Sequence, residues 1–101
     1  MKQLDEQTAT ITLDYCDQCG WMLRAAWMAQ DLLVTFRGRI REIILRPGKG
    51  GIFEVRVNGD LVWSRAARGR FPDITELKQL VRDHIAPDMS LGHADRKPSS
   101  E

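Results

Sequence analysis

A chain of 101 residues is long enough for one hydrophobic core and too short for two independent ones. Its 43% hydrophobic and 29% charged residues are ordinary for a water-soluble domain, and a formal net charge of +1 carries no bulk signature of nucleic-acid or membrane binding. The N-terminus lacks the apolar stretch of a secretory signal and no run approaches a membrane-spanning length, so the expected location is cytoplasmic.

Residues 1–9 are polar and expected to fray. Thr10-Ile11-Thr12-Leu13-Asp14-Tyr15 alternates apolar and polar side chains, the pattern of a half-buried strand. Cys16-Asp17-Gln18-Cys19 follows and holds both cysteines of the chain. After Gly20, the run Trp21 to Leu33 has no proline or glycine and predicts a helix, stopped by Gly38 just past Phe36. Residues 39–46 predict a second strand, β-branched and partly buried on both faces. Pro47-Gly48-Lys49-Gly50-Gly51 predicts a loop.

Ile52 to Val57 alternates cleanly and places Phe53, Val55 and Val57 on one face. Asn58-Gly59 then separates it from Asp60-Leu61-Val62-Trp63-Ser64, and such a step between two strand-like runs predicts a tight antiparallel hairpin. Residues 65–71 read as a basic loop. Asp73 and Glu76 are spaced as a capping box, starting a helix whose buried stripe is Ile74, Leu77, Val81 and Ile85 and which Pro87 ends. Residues 88–101 form a polar tail. The packed unit is therefore expected over residues 10–87, in the order β-α-β-β-β-α, with the first strand–helix–strand unit parallel.

The CxxC carries the chemistry. Two thiols separated by two residues at a strand-to-helix junction can close a small disulfide ring, and the unpaired N–H groups of the helix start favour thiolate. Lowering a thiol pKa from about 8.5 to about 6.5 would raise the thiolate fraction at pH 7 from ~3% to ~75%. Intrinsic nucleophilicity would fall roughly eightfold, leaving a net gain of only about threefold. A low pKa alone would therefore not make a catalyst. Two rival readings are buried structural cysteines and a zinc site. Zinc would need two more ligands, and His84 and His93, nine apart and more than 60 residues downstream, lack the usual paired spacing.

At 100° per residue, Trp21, Met22, Ala25, Ala26, Ala29, Leu32, Leu33 and Phe36 fall in one arc, the expected core face. Leu23, Trp27 and Val34 fall opposite, at the spacing of a helix seam. Either other elements cover this second stripe, or it is a homodimer or client-docking surface beside the CxxC. His84, near the end of its helix, is read as a favourably placed cation, and Trp63 as a strand residue packed on one sheet face.

The CxxC after the first strand, the motif Gly51-Ile52-Phe53-Glu54-Val55 and the Trp-rich helix together resemble the selenoprotein W/T/H-like (Rdx) family. The similarity runs from about Thr10 to Pro87, and Leu91-Gly92-His93-Ala94-Asp95-Arg96 looks like bacterial members. The resemblance implies a thioredoxin-like α/β domain, a four-stranded mixed sheet in the order 2-1-3-4 flanked by two helices. It implies thiol–disulfide oxidoreductase activity through Cys16 and Cys19, no bound cofactor or metal, and glutathione or protein thiols as partners. Family members often carry selenocysteine at the position matching Cys19, which favours Cys19 as the attacking group and Cys16 as the resolving one. Thioredoxin logic favours the reverse.

In such folds the loop before the last helix lies on the active-site side. Arg65, Arg68 and Arg70, with Lys49 and Arg46, could then form a basic patch that holds the carboxylates of glutathione, although Asp73 competes for the helix N-terminus. With no base-stacking aromatics beside these arginines in the sequence, nucleic acid is not expected as a partner. The alternative function is a non-enzymatic redox-sensing or interaction module built on the CxxC and Leu23, Trp27 and Val34.

Overall fold

The computed structural model describes residues 9–92. It contains β1 (Ala9–Cys16), α1 (Met22–Thr35), β2 (Ile40–Gly48), β3 (Phe53–Val57), β4 (Asp60–Ser64), the four-residue α2 (Arg65–Arg68) and α3 (Ile74–Ile85). The strands form one sheet in the order β2-β1-β3-β4, with β1 parallel to β2 and antiparallel to β3, and β3 antiparallel to β4. This is the mixed α/β arrangement expected of a thioredoxin-like domain. His93 and the rest of the tail, like residues 1–8, lie outside the described residues.

Alternation in β1 and β3 decides which face is covered. Ile11, Leu13 and Tyr15 share one cluster with Phe53, Val55 and Val57, with Ala25, Met28, Leu32 and Phe36 of α1, and with Leu77 and Val81 of α3. Successive strand residues point to opposite faces, so both long helices pack on the same side of the sheet. An ion pair between Lys78 and Asp31, at 2.9 Å, links α3 to α1. The other face is polar. There Asp14 accepts from Arg46 Nε at 2.6 Å and lies 3.5 Å from Arg56, which also pairs with Glu54 at 2.8 Å.

The hairpin forms as its turn residues dictate: Asn58 and Gly59 both have positive φ, 52° and 90°. Asn58 also ties the turn to β1, its Oδ1 accepting from Thr10 N–H at 2.9 Å and its own N–H donating to the Thr10 carbonyl at 2.8 Å. The Asp73–Glu76 capping box is present at the start of α3.

Four expectations need correction. The strand β2 is not partly buried on both faces. It is an edge strand with Ile44 and Leu45 exposed, because α1 covers one side of the sheet only; Arg41, Glu42, Arg46 and Pro47 protect this edge from further pairing. It also runs through Pro47 and Gly48, which were expected to open a loop, because both continue the ladder with Tyr15 and Cys16. Residues 65–68, expected as loop, form α2: Ser64 Oγ accepts from Ala67 N–H at 3.2 Å, and Gly69 closes it in the left-handed region.

On α1, finally, Met28 is buried whereas Met22 and Leu33 are exposed. The buried arc centres on Ala25 and Leu32 and is rotated from the expected one. The chain stays packed past Pro87: Met89 and Leu91 lie against the core, and Arg82 donates to the Met89 carbonyl at 2.9 Å.

Candidate functional site

Cys16 is the last residue of β1 and is held from both sides. It pairs with Gly48 in the parallel ladder, and the next residue, Asp17, donates its N–H to the Gly48 carbonyl at 3.0 Å. The chain then turns. Gly20 N–H donates to the Asp17 carbonyl at 3.0 Å, with Gly20 at φ +77°, a conformation that disfavours any side chain. Trp21 N–H reaches back to the Cys16 carbonyl at 3.4 Å, and α1 begins one residue later with no side-chain cap on its N-terminus. The four residues thus form a closed loop, with Cys16 and Cys19 at disulfide-bonding distance and their Cα atoms 5.3 Å apart.

The two cysteines differ in access. Cys16 is 2% exposed, whereas Cys19 lies in the exposed turn. A thiolate arriving from solvent can reach Cys19, and attack there expels Cys16. In the opposite direction Cys19 is the residue that an external disulfide can meet, whereas Cys16 is shielded. Cys19 precedes the N-cap residue Trp21 by two positions in the chain, and the start of α1 has no side-chain cap on its N–H groups.

Gly48 is a site residue that the sequence pattern hid inside a glycine-rich stretch. A Cβ there would lie 2.8 Å from Ile52 Cγ2, a branch methyl that cannot swing aside without changing χ1. Gly48→Ala is therefore expected to cost about 1–2 kcal/mol. In an Ile52→Ala background the obstructing methyl is gone, so the same substitution should cost about 1 kcal/mol less. Urea unfolding of the two single variants and the double variant measures this; strict additivity would show that the contact is not what excludes a side chain at position 48.

Beside the loop, Trp21, Phe71 and Phe53 stack edge to face, with centroids 4.8 Å and 5.1 Å apart for Trp21–Phe71 and Phe53–Phe71. Arg24 lies 4.1 Å from the Phe71 centroid, and Arg65 lies 4.9 Å and 5.0 Å from Trp21 and Phe71. The expected basic patch is divided. Arg68 and Arg70 lie over Trp63, at 4.4 Å and 5.0 Å, and Arg70 forks onto both carboxylate oxygens of Glu76 at 3.0 Å.

That hydrogen bond from Arg70, reinforced by the Asp73 N–H and the nearby guanidinium charges, holds the Glu76 carboxyl below its usual range. Arg46 belongs instead to the polar sheet face, and Lys49 lines a small cleft of about 270 Å³ with Asp17, Gln18, Pro47 and Gly48. Arg24 was missed because its charge sits on a helix otherwise read for apolar periodicity; its place five residues after Cys19 and three after Trp21 was the available signal.

Leu23, Trp27 and Val34 are exposed by 75%, 50% and 63%, and neither α3 nor a loop of the described residues covers them. His84 lies 3.2 Å from Asp60, in the last turn of α3. Among the described residues no group of three or more His, Cys, Asp or Glu is placed to hold a metal ion. No helix among them is long and apolar enough to cross a membrane.

Comparison with known proteins converges on one family. A model of the Rdx family matches residues 10–83. Migration and invasion enhancer 1 of Bos taurus is 33% identical over 72 residues, 71% of this chain, and the Mus musculus protein of that name matches to the same extent. The chain spans only 61% of the length of these curated relatives. A crystal structure of a selenoprotein W-related protein from Vibrio cholerae is 48% identical, with a TM-score of 0.76 over 78% of this chain and 99% of that one. A Bordetella parapertussis protein of known structure is 51% identical, with a TM-score of 0.74 over 75% of this chain and 96% of the other.

Proposed function

The chain belongs to the Rdx family, and from that premise and the geometry of its CxxC we propose that it is a thiol–disulfide oxidoreductase. The observation that carries the reading is the unequal burial of two cysteines whose sulfurs lie at disulfide distance. In the oxidising direction the Cys19 thiolate attacks an external disulfide. A Cys19–substrate sulfur bond forms, and the first substrate thiolate leaves. Cys16 then loses its proton to solvent and attacks Cys19, closing the intramolecular disulfide and releasing the second substrate thiolate. Reduction by an external thiol is the same path reversed. Glutathione or protein thiols are the electron partners, and the reaction needs no bound cofactor.

A redox titration against glutathione, read by thiol alkylation and intact mass, tests this. The expected result is loss of two protons with a two-electron midpoint. If neither an intramolecular disulfide nor a glutathione adduct appears at any ratio, the redox reading is wrong.

A second reading is favoured by the apolar outer face of α1, where Met22, Leu23, Trp27, Leu33 and Val34 are all exposed. On that reading the chain is a redox-sensing or interaction module, or a homodimer, whose surface changes with the disulfide. Turnover separates the two. An enzyme cycles many equivalents of disulfide per chain, whereas a sensor changes state once and alters its affinity for a partner.

A further inference from the structure

We propose that Arg24 and Arg65 form a cationic shelf beside the CxxC that selects small disulfides bearing free carboxylates. The inference rests on the redox reading above and names the substrate class of that same site. Arg24 stands in the first turn of α1, and Arg65 is the first residue of α2. Both guanidinium groups lie within 5.0 Å of the centroid of Phe71, so two cations converge on one ring. Arg65 also covers Trp21, two residues after the exposed Cys19. The ring faces fix where the charges sit without neutralising them.

Their lack of a counter-charge separates them from much of the molecule's basic surface. Arg46, Arg56, Arg70, Lys78 and Arg82 each have a carboxylate partner. Among the described residues neither Arg24 nor Arg65 has one, and Arg65 Nε is buried without any hydrogen-bond partner. Two guanidinium groups held on one ring without a counter-ion leave positive charge that a bound carboxylate would balance.

There is room for such a ligand. An open cleft of about 630 Å³ adjoins Arg24, lined also by Arg70, Phe71, Pro72 and the start of α3; its two acids, Asp73 and Glu76, are engaged by the capping box and, for Glu76, by Arg70. The α3 N-terminus is not itself the anion site, because Asp73 and Glu76 already engage it through their capping box. On this proposal a disulfide whose carboxylates rest on Arg24 and Arg65 is held beside Trp21, two residues from Cys19, before the exchange step begins. A neutral disulfide has only collision to rely on.

The test measures exchange rates of the reduced protein with three probes: glutathione disulfide, which is anionic, bis(2-hydroxyethyl) disulfide, which is neutral, and cystamine, which is cationic. In the wild-type protein the rate ratio of the anionic to the neutral probe should exceed that of free glutathione as attacking thiol, and should fall as salt is raised. The double variant Arg24→Gln/Arg65→Gln should lower this ratio about tenfold and flatten its salt dependence. Arg24→Lys/Arg65→Lys should retain most of it, which separates charge from ring packing.

An unchanged ratio in the glutamine variant, an equal slowing with all three probes, or a lysine variant as poor as the glutamine one would overturn the proposal. A wild-type protein that exchanges with all three without preference sinks the shelf and leaves the redox reading standing. One that exchanges with none removes the redox reading, and the shelf goes with it.

Discussion

Cys19→Ser is expected to abolish disulfide exchange, whereas Cys16→Ser should stop it halfway, with a stable mixed disulfide trapped on Cys19. This asymmetry follows from burial. With Cys16 2% exposed, a serine at position 19 leaves no sulfur that a substrate can reach, and turnover should fall by about 10³-fold or more. With serine at position 16 the exposed Cys19 still attacks, but no resolving thiol follows, so the adduct persists until an external thiol removes it. Intact mass after exposure to glutathione disulfide reads the outcome directly: one adduct on Cys16→Ser, none on Cys19→Ser. The opposite pattern would make Cys16 the attacking residue, as thioredoxin logic suggests, and would require the loop to open in solution. Equal adducts on both would mean that burial does not order the two thiols.

The parts of this site that could be read in advance are those set by local backbone chemistry. The Asn58-Gly59 turn requires positive φ at two successive positions, and the Asp73–Glu76 capping box satisfies orphan donors within one helical turn, so neither depends on distant packing. The CxxC was legible for the same reason: its loop closes through bonds among residues 16–21 and one contact to Gly48. What stayed hidden depends on the sheet order and on one-sided packing. Isoleucine and leucine at 43–45 look like a buried strand until the order places them at an edge. The helical period gives an arc of α1 but not its rotation, and the actual rotation buries Met28 and exposes Met22 and Leu33. Ser64 and Gly69 cap α2 in the structure, but a helix of four residues has too little periodicity to show in a sequence.

Trp63→Ala is expected to cost about 3–5 kcal/mol, among the largest losses available to a single side chain here. Its ring is 1% exposed, pairs across the ladder with Val55, and is covered from outside by Arg68 and Arg70. Its Nε1–H donates to the Arg70 carbonyl at 3.1 Å and so fastens the end of the 65–71 segment to β4. Trp63→Phe keeps most of the apolar ring but loses that hydrogen bond, and should cost about 1–2 kcal/mol. Denaturant unfolding of both variants decides the matter, and a Trp63→Ala cost below about 1 kcal/mol would contradict the packing described.

The same bond connects stability to chemistry. Arg65 and Phe71 stand at the two ends of the segment that Trp63 anchors, so loosening it moves the shelf but leaves the cysteine loop, which is built from β1, β2 and α1. Trp63→Phe should therefore lower the preference for anionic disulfides before it lowers exchange with neutral ones. A parallel loss of both would mean that the 65–71 segment supports the cysteine loop itself rather than the surface on which a substrate rests.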